Sequence, residues 1–232
     1  MEELIRTVLV PWRQKRMRLI AEKYAGPTEL SGQSGQPLIV LRTYYGGGAA
    51  DDDKLREWLE EVDPYDEALG GRSNHWWRVL NDPALFDMGS EPWQSVYYVL
   101  PELTVPSSSR SFTEEDLAYI KELAHQLETE REPDEEDYEN AVMEAALGMG
   151  FLLIVDEQAF DDDEFGLVFR DSKGNVIKEG PIKPEEVQYL FHYHARGALF
   201  ESEYWLDARP GKKYKTGGEI MRTLLPVVMA DA

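Results

Sequence analysis

Asp156 stands directly behind the most apolar run of the chain, Gly150-Phe-Leu-Leu-Ile-Val155, and Asp161, Asp162 and Asp163 follow within a few residues. A carboxylate at the C-terminal end of a buried strand lies where α/β sheets open a crevice, and clustered aspartate oxygens suit Mg2+ or Ca2+. The stretch lacks the glycine and the terminal glutamate of an EF-hand loop. One chemistry the sequence admits is therefore divalent-metal-dependent hydrolysis, with Asp156 as the catalytic carboxylate and Asp161, Asp162 and Asp163 supplying further oxygens.

The other candidate groups point away from catalysis. Asp171-Ser-Lys173 could pair an acid and a lysine beside Asp156 in the manner of a metal nuclease. Gly174-Asn175 follow at once, however, and give those residues ordinary hairpin-turn roles. Gly46-Gly-Gly48 precedes a helical pattern, as a phosphate cradle would, but positions 49 to 51 read Ala-Ala-Asp and no Lys-Ser/Thr follows. Asp51, Asp52 and Asp53 would repel phosphate there and are better placed as helix caps. His192 and His194 lie in a helical pattern, where two positions correspond to about 200° of rotation, so they do not share a metal. Ser107, Ser108 and Ser109 lack a Gly-x-Ser-x-Gly frame, and His75 and His125 have no partner pattern. No resident metal or cofactor is expected.

Charge is the stronger signal. The chain has 45 acidic and 24 basic residues among 232, a net charge of −21. Glu128, Glu130, Glu132, Asp134, Glu135, Glu136, Asp137 and Glu139 are gathered around a single base, Arg131, and Asp156–Glu164 holds six acids without a base. Such a field repels nucleic acid and anionic lipid and favours a basic protein surface. The eight acids from Glu128 to Glu139 are the expected partner-binding face.

Elements that would carry these residues are legible in the pattern. Leu38–Tyr45 reads as a buried strand, and a helix is predicted from about Asp53 to Val62 on Leu55, Trp58, Leu59 and Val62. A short helix is expected over Asn74–Leu80 and a strand over Gln94–Val105. Thr113 caps a helix with Leu117, Ile120, Ala124 and Leu127 inward, and a second helix after Pro133 turns Tyr138, Ala141, Val142 and Ala145 inward. The acidic cluster then falls on the outer faces and joint of a helix hairpin. Gly150–Val155 is a buried strand, and Phe165–Arg170 with Val176–Lys178 flanks a hairpin turn. Pro184 opens a helix to about Ala195, Leu199–Leu206 alternates as a strand, and Ile220–Met229 is core, interrupted at Pro226. Trp76, Trp77, Trp93, Tyr97 and Tyr98 raise the question of an aromatic contact surface. Arg209, Lys212, Lys213 and Lys215 form the one basic turn of the body.

Residues 1–26 carry six bases and three acids, about +3 against about −24 for the rest. They read as a basic N-terminal helix, joined through a Gly/Pro/Ser linker at 27–37 to an acidic domain at 38–232. With no cysteine and no apolar run near the length of a membrane span, the chain reads as cytoplasmic and not membrane-bound. The expected fold is α/β, with α+β as the alternative: one domain with a mixed sheet and helices. The expected function is a non-enzymatic acidic binding or regulatory protein, in the physical class of inhibitors, immunity proteins, DNA mimics and acidic subunits of nucleic acid machines. Its acidic domain does not itself bind nucleic acid, and its oligomeric state is open.

Overall fold

Apolar and β-branched residues at 38–42 leave little choice but a strand, and that strand is the hinge of the architecture. The computed structural model describes residues 38–62, 77–89, 91–103, 112–127, 131–195 and 198–230. The N-terminal segment 1–26, the linker 27–37, Glu128, Glu130, His75, Trp76 and Ser107–Ser109 lie outside them. The fold is α/β, with a mixed six-stranded sheet in the order β2-β1-β3-β4-β5-β6. The chain divides into two compact units, residues 1–105, 152–166 and 183–188, and residues 106–151, 167–182 and 189–232.

In the first unit β1 (Leu38–Arg42) lies parallel to both β2 (Trp77–Leu80) and the second half of β3 (Leu147–Val155). Ile39 is opposite Leu152 and Arg42 opposite Val155. Between β1 and β2 runs α1 (Ala49–Val62), four residues longer at its start than its apolar stripe requires. Leu55, Trp58 and Val62 are its buried face, and Trp58 stacks on Phe160 with ring centroids 5.6 Å apart and meets Phe165 edge-on at 5.1 Å. The expected helix over Asn74–Leu80 is not formed at its described end: Trp77–Leu80 is β2. Aromatic and branched residues suit a strand when a partner is present, and β1 supplies that partner.

The expected strand over Gln94–Val105 is also replaced. A 3-10 turn (Trp93–Ser95), α3 (Val96–Val99) and a second 3-10 turn (Pro101–Leu103) follow α2 (Pro83–Phe86). The buried residues are Val96, Val99, Leu100 and Leu103, which is i, i+3, i+4, i+7 spacing, while Tyr98 is 82% exposed. A helical stripe was present under an apparent alternation.

In the second unit α4 (Glu114–Leu127) and α5 (Glu135–Ala146) form the expected hairpin, with α9 (Glu219–Met229) packed on both. Thr113 caps α4 as its sequence indicates, its Oγ1 accepting from the Asp116 N–H at 3.2 Å while Asp116 accepts from the Thr113 N–H at 2.8 Å. Pro226 does not break α9. It lies on the exposed side, so the Arg222 carbonyl it leaves without an N–H faces water. Buried Met221, Leu224, Leu225 and Val228 hold the helix together across it.

β4 (Phe165–Asp171) and β5 (Val176–Ile182) make the expected hairpin, and β6 (Arg209–Pro210) adds antiparallel to β5. α6 (Glu157–Asp162) lies between β3 and β4, and α7 (Val187–Ala195) follows the 3-10 turn Pro184–Glu186. Leu199–Leu206 is not a strand but a 3-10 turn (Leu199–Glu201) and α8 (Glu203–Leu206). Ser202 decides this, accepting from the Trp205 N–H at 3.3 Å and donating to the Leu199 carbonyl at 2.6 Å. A hydroxyl that caps a turn competes with a ladder for the same backbone.

Candidate functional site

β1 and β3 are parallel neighbours whose chains leave in opposite directions of the sheet order, β1 toward β2 and β3 toward β4. Their C-terminal ends therefore form a topological switch point, where α/β sheets place ligands. The Thr43 N–H extends the pairing to the Val155 carbonyl at 2.9 Å, and the loop 43–48 and the segment 156–164 that carries α6 follow it.

The four aspartates expected there are placed individually, not together. Asp156 caps α6, its carboxylate accepting from the Ala159 N–H at 3.0 Å. Asp161 is exposed on the helix, and Asp162 accepts from Gln158 Nε2 at 3.1 Å. Asp163 ends the helix in the left-handed conformation (φ 59°) and pairs with Lys54, which reaches over from α1. Lys54 Nζ also donates to the Phe160 carbonyl and lies 5.2 Å from the Trp58 ring. Among the described residues no group of three His, Asp or Glu side chains is placed to hold a metal ion.

Gly46-Gly-Gly48 is shaped by its own neighbours. The Gly47 N–H, the group a phosphate would take, donates to Asp51 Oδ2 at 3.0 Å. A Cβ at Gly46 would lie 2.3 Å from the Tyr44 hydroxyl and one at Gly47 2.2 Å from the Asp51 carboxylate, so a larger residue at either position would displace that side chain. Tyr44 bonds to Glu157. Desolvation, then the charges of Glu157 and Asp51, push its phenol above the ordinary value.

Arg42 is the residue that sequence reading passed over. It is buried at the end of β1, donating from Nε to the Tyr44 carbonyl at 2.8 Å and from its terminal nitrogen to Asp52. Its guanidinium lies 4.5 Å from the Tyr45 ring centroid and 5.4 Å from that of Phe160. A lone cation inside the apolar run Leu38–Tyr45 was the available signal, since a buried charge demands a partner. The aspartates of α1 thus serve as that partner and as a loop cap, and the switch point holds its cations within the protein.

The acidic hairpin joint differs. Asp134 caps α5, accepting from the N–H groups of Glu136 at 2.9 Å and Asp137 at 3.2 Å. Asp137 Oδ2 accepts from the Asp134 N–H at 2.8 Å and pairs with Arg131 at 2.8 Å, and these donors hold its carboxyl below the ordinary value. Arg131 also reaches Asp134 at 3.2 Å. Glu132, Glu135 and Glu136 are exposed, and among the described residues no base pairs with them. Glu139 does not share that outer face. It is half-buried and accepts from Thr216 Oγ1 at 3.0 Å, with its Oε1 sealed from water. One turn of helix separates it from Glu135, yet α9 and the turn before it cover only the later position.

The remaining candidates stay apart. His192 is exposed on α7, and the His194 side chain lies outside the described residues. Asp171 is buried within its turn, and Lys173 is exposed. In the basic turn Lys213 pairs with Glu219 at 3.3 Å, while Lys212 and Lys215 are exposed. Trp93 meets Tyr97 edge-on at 5.7 Å beside exposed Tyr98. No helix of the described residues is long and apolar enough to cross a membrane. Compared with protein-family models, with curated proteins and with solved structures, the chain matches none.

Proposed function

We propose that this is an acidic binding protein whose exposed carboxylates engage a basic protein surface, as an inhibitor, an immunity protein or an acidic regulatory subunit does. The observation that carries the reading is the division of labour among its charges. Several described bases serve the fold, Arg42 under Asp52, Lys54 on Asp163, Arg131 across the α5 cap and Lys178 buried against Trp205, while Lys173, Lys212 and Lys215 are exposed. Glu132, Glu135 and Glu136 are left exposed on a helix terminus whose cap and inner stripe are complete without them. Carboxylates so placed repel one another, a cost that the helix dipole offsets in part for Glu135 and Glu136, and they accelerate encounter with a cation-rich partner and make binding salt-sensitive.

The test is binding of labelled oligolysine to the full chain over a salt series, with the variant Glu132→Gln, Glu135→Gln, Glu136→Gln alongside. The wild type should bind more weakly as salt rises, and the variant should lose about tenfold in affinity at low salt. A variant that binds as the wild type does at every salt concentration would remove the hairpin joint from the interface.

A further inference from the structure

We propose that the outer face of α4 recognises arginine-bearing segments of a basic protein, and that Tyr119 is the residue that selects arginine over lysine. The proposal rests on the acidic-binding reading above and names the side chain that gives it chemical selectivity. Ile120, Leu123 and Ala124 are the buried side of α4, against which α5 and α9 pack. Beside that stripe α4 presents Glu115, Tyr119, Glu122 and Gln126, all exposed. Steps of four, three and four residues set these side chains in one line along the helix, over about 16 Å. Tyr119 is 51% exposed at the centre of that line, one turn from Glu115 on one side and from Glu122 on the other. Gln126 Nε2 donates to Glu122 Oε1 at 3.1 Å, and among the described residues no base pairs with Glu115 or Glu122. Lys121 is half-buried, off the line.

The occupant follows from charge and shape. A guanidinium is planar and weakly hydrated, so it can lie on the Tyr119 ring while its N–H edges reach a carboxylate on each side. A lysine ammonium is compact and strongly hydrated, and it gains the carboxylates without the ring. Nucleic acid and a second copy of this chain are both repelled by a net charge of −21. A line of about 16 Å matches about five residues of extended chain, so a short basic segment covers it.

The experiment titrates the full chain with two labelled peptides of equal length and charge, one built on arginine and one on lysine, across a salt series. Wild type should prefer the arginine peptide. Tyr119→Leu should lose about three- to fivefold of that preference, and Tyr119→Phe should keep it. Glu115→Gln with Glu122→Gln leaves the ring in place and should weaken both peptides while the arginine preference remains. An arginine preference undiminished in Tyr119→Leu, or one abolished in the double variant although the ring is intact, overturns the role of Tyr119 and leaves the acidic-binding reading standing. Absence of salt-dependent binding by either peptide overturns both.

Discussion

Tyr214 donates its phenolic hydrogen to Asp171 Oδ2 at 2.9 Å, joining two turns 43 residues apart. The same carboxylate accepts from the Lys173 N–H at 2.9 Å, the Asn175 N–H at 2.8 Å and Asn175 Nδ2 at 2.7 Å. Asp171 thus organises the β4–β5 turn from inside and anchors the segment that leads into α9.

Tyr214→Phe should therefore cost about 1 kcal/mol of unfolding free energy, because Asp171 keeps its other donors. Asp171→Ala removes an acceptor from all of them and should cost about 2–4 kcal/mol. Urea unfolding measures both, and an unchanged midpoint for Tyr214→Phe would contradict the structural role. Burial, then the Asp171 charge, pushes the Tyr214 phenol well above its ordinary 10.0. The native state then holds that proton where the unfolded chain releases it, so stability should fall as pH rises above 10.0, and less steeply in Tyr214→Phe.

Lys178 is buried on β5, its Nζ donating to the Trp205 carbonyl at 3.0 Å and standing 4.9 Å from the Trp205 ring centroid, with no carboxylate paired to it among the described residues. Desolvation lowers its amine from the ordinary 10.5. Between that lowered value and 10.5 the unfolded chain binds more protons than the native one, so Lys178 makes stability rise with pH across this window. Lys178→Met should flatten the rise, as read from urea midpoints at about pH 8 and about pH 10. Equal slopes in the two proteins would count against a buried charged amine.

Gly211 permits the close approach of β6 to β5, where its N–H donates to the Ile177 carbonyl at 2.8 Å. A Cβ there would lie 2.1 Å from the Val176 carbonyl oxygen. Gly211→Ala should destabilise by about 1–3 kcal/mol through overpacking against backbone. Gly180, whose Cβ would meet nothing nearer than 3.6 Å, should accept alanine with far smaller loss. Thermal unfolding of the two variants side by side decides the matter.

At the hairpin joint, cap and surface should separate cleanly. Asp134→Ala should cost about 1 kcal/mol, because two N–H groups of the first turn lose their acceptor. Glu135→Gln with Glu136→Gln should stay within about 0.5 kcal/mol of wild type, as relief of repulsion opposes loss of a favourable helix-dipole contact. Chemical denaturation distinguishes them, and a large loss in the double variant would mean that these carboxylates serve the fold.

Local chemistry was enough to fix β1, α1, the capped hairpin α4–α5, the buried strand at 150–155 and the β4–β5 turn. In each, a stripe, a cap or a turn signal acts within a few residues of itself, so sequence order and spatial order coincide. Trp77–Leu80, Val96–Leu103 and Leu199–Leu206 were decided elsewhere. Their aromatic and branched residues suit either state, and the choice fell to the presence of β1 as a partner, to a helical stripe beneath an alternating one, and to the Ser202 cap. The site divides in the same way. That the α5 terminus is crowded with acid is written in the sequence, as is its cap at Asp134. That Glu139 turns to Thr216, and that Lys54 closes on Asp163, depends on segments 77 and 109 positions away. Pairing of a charge is a three-dimensional property: composition counts the carboxylates, and only the packed chain determines which of them remain free to meet a partner.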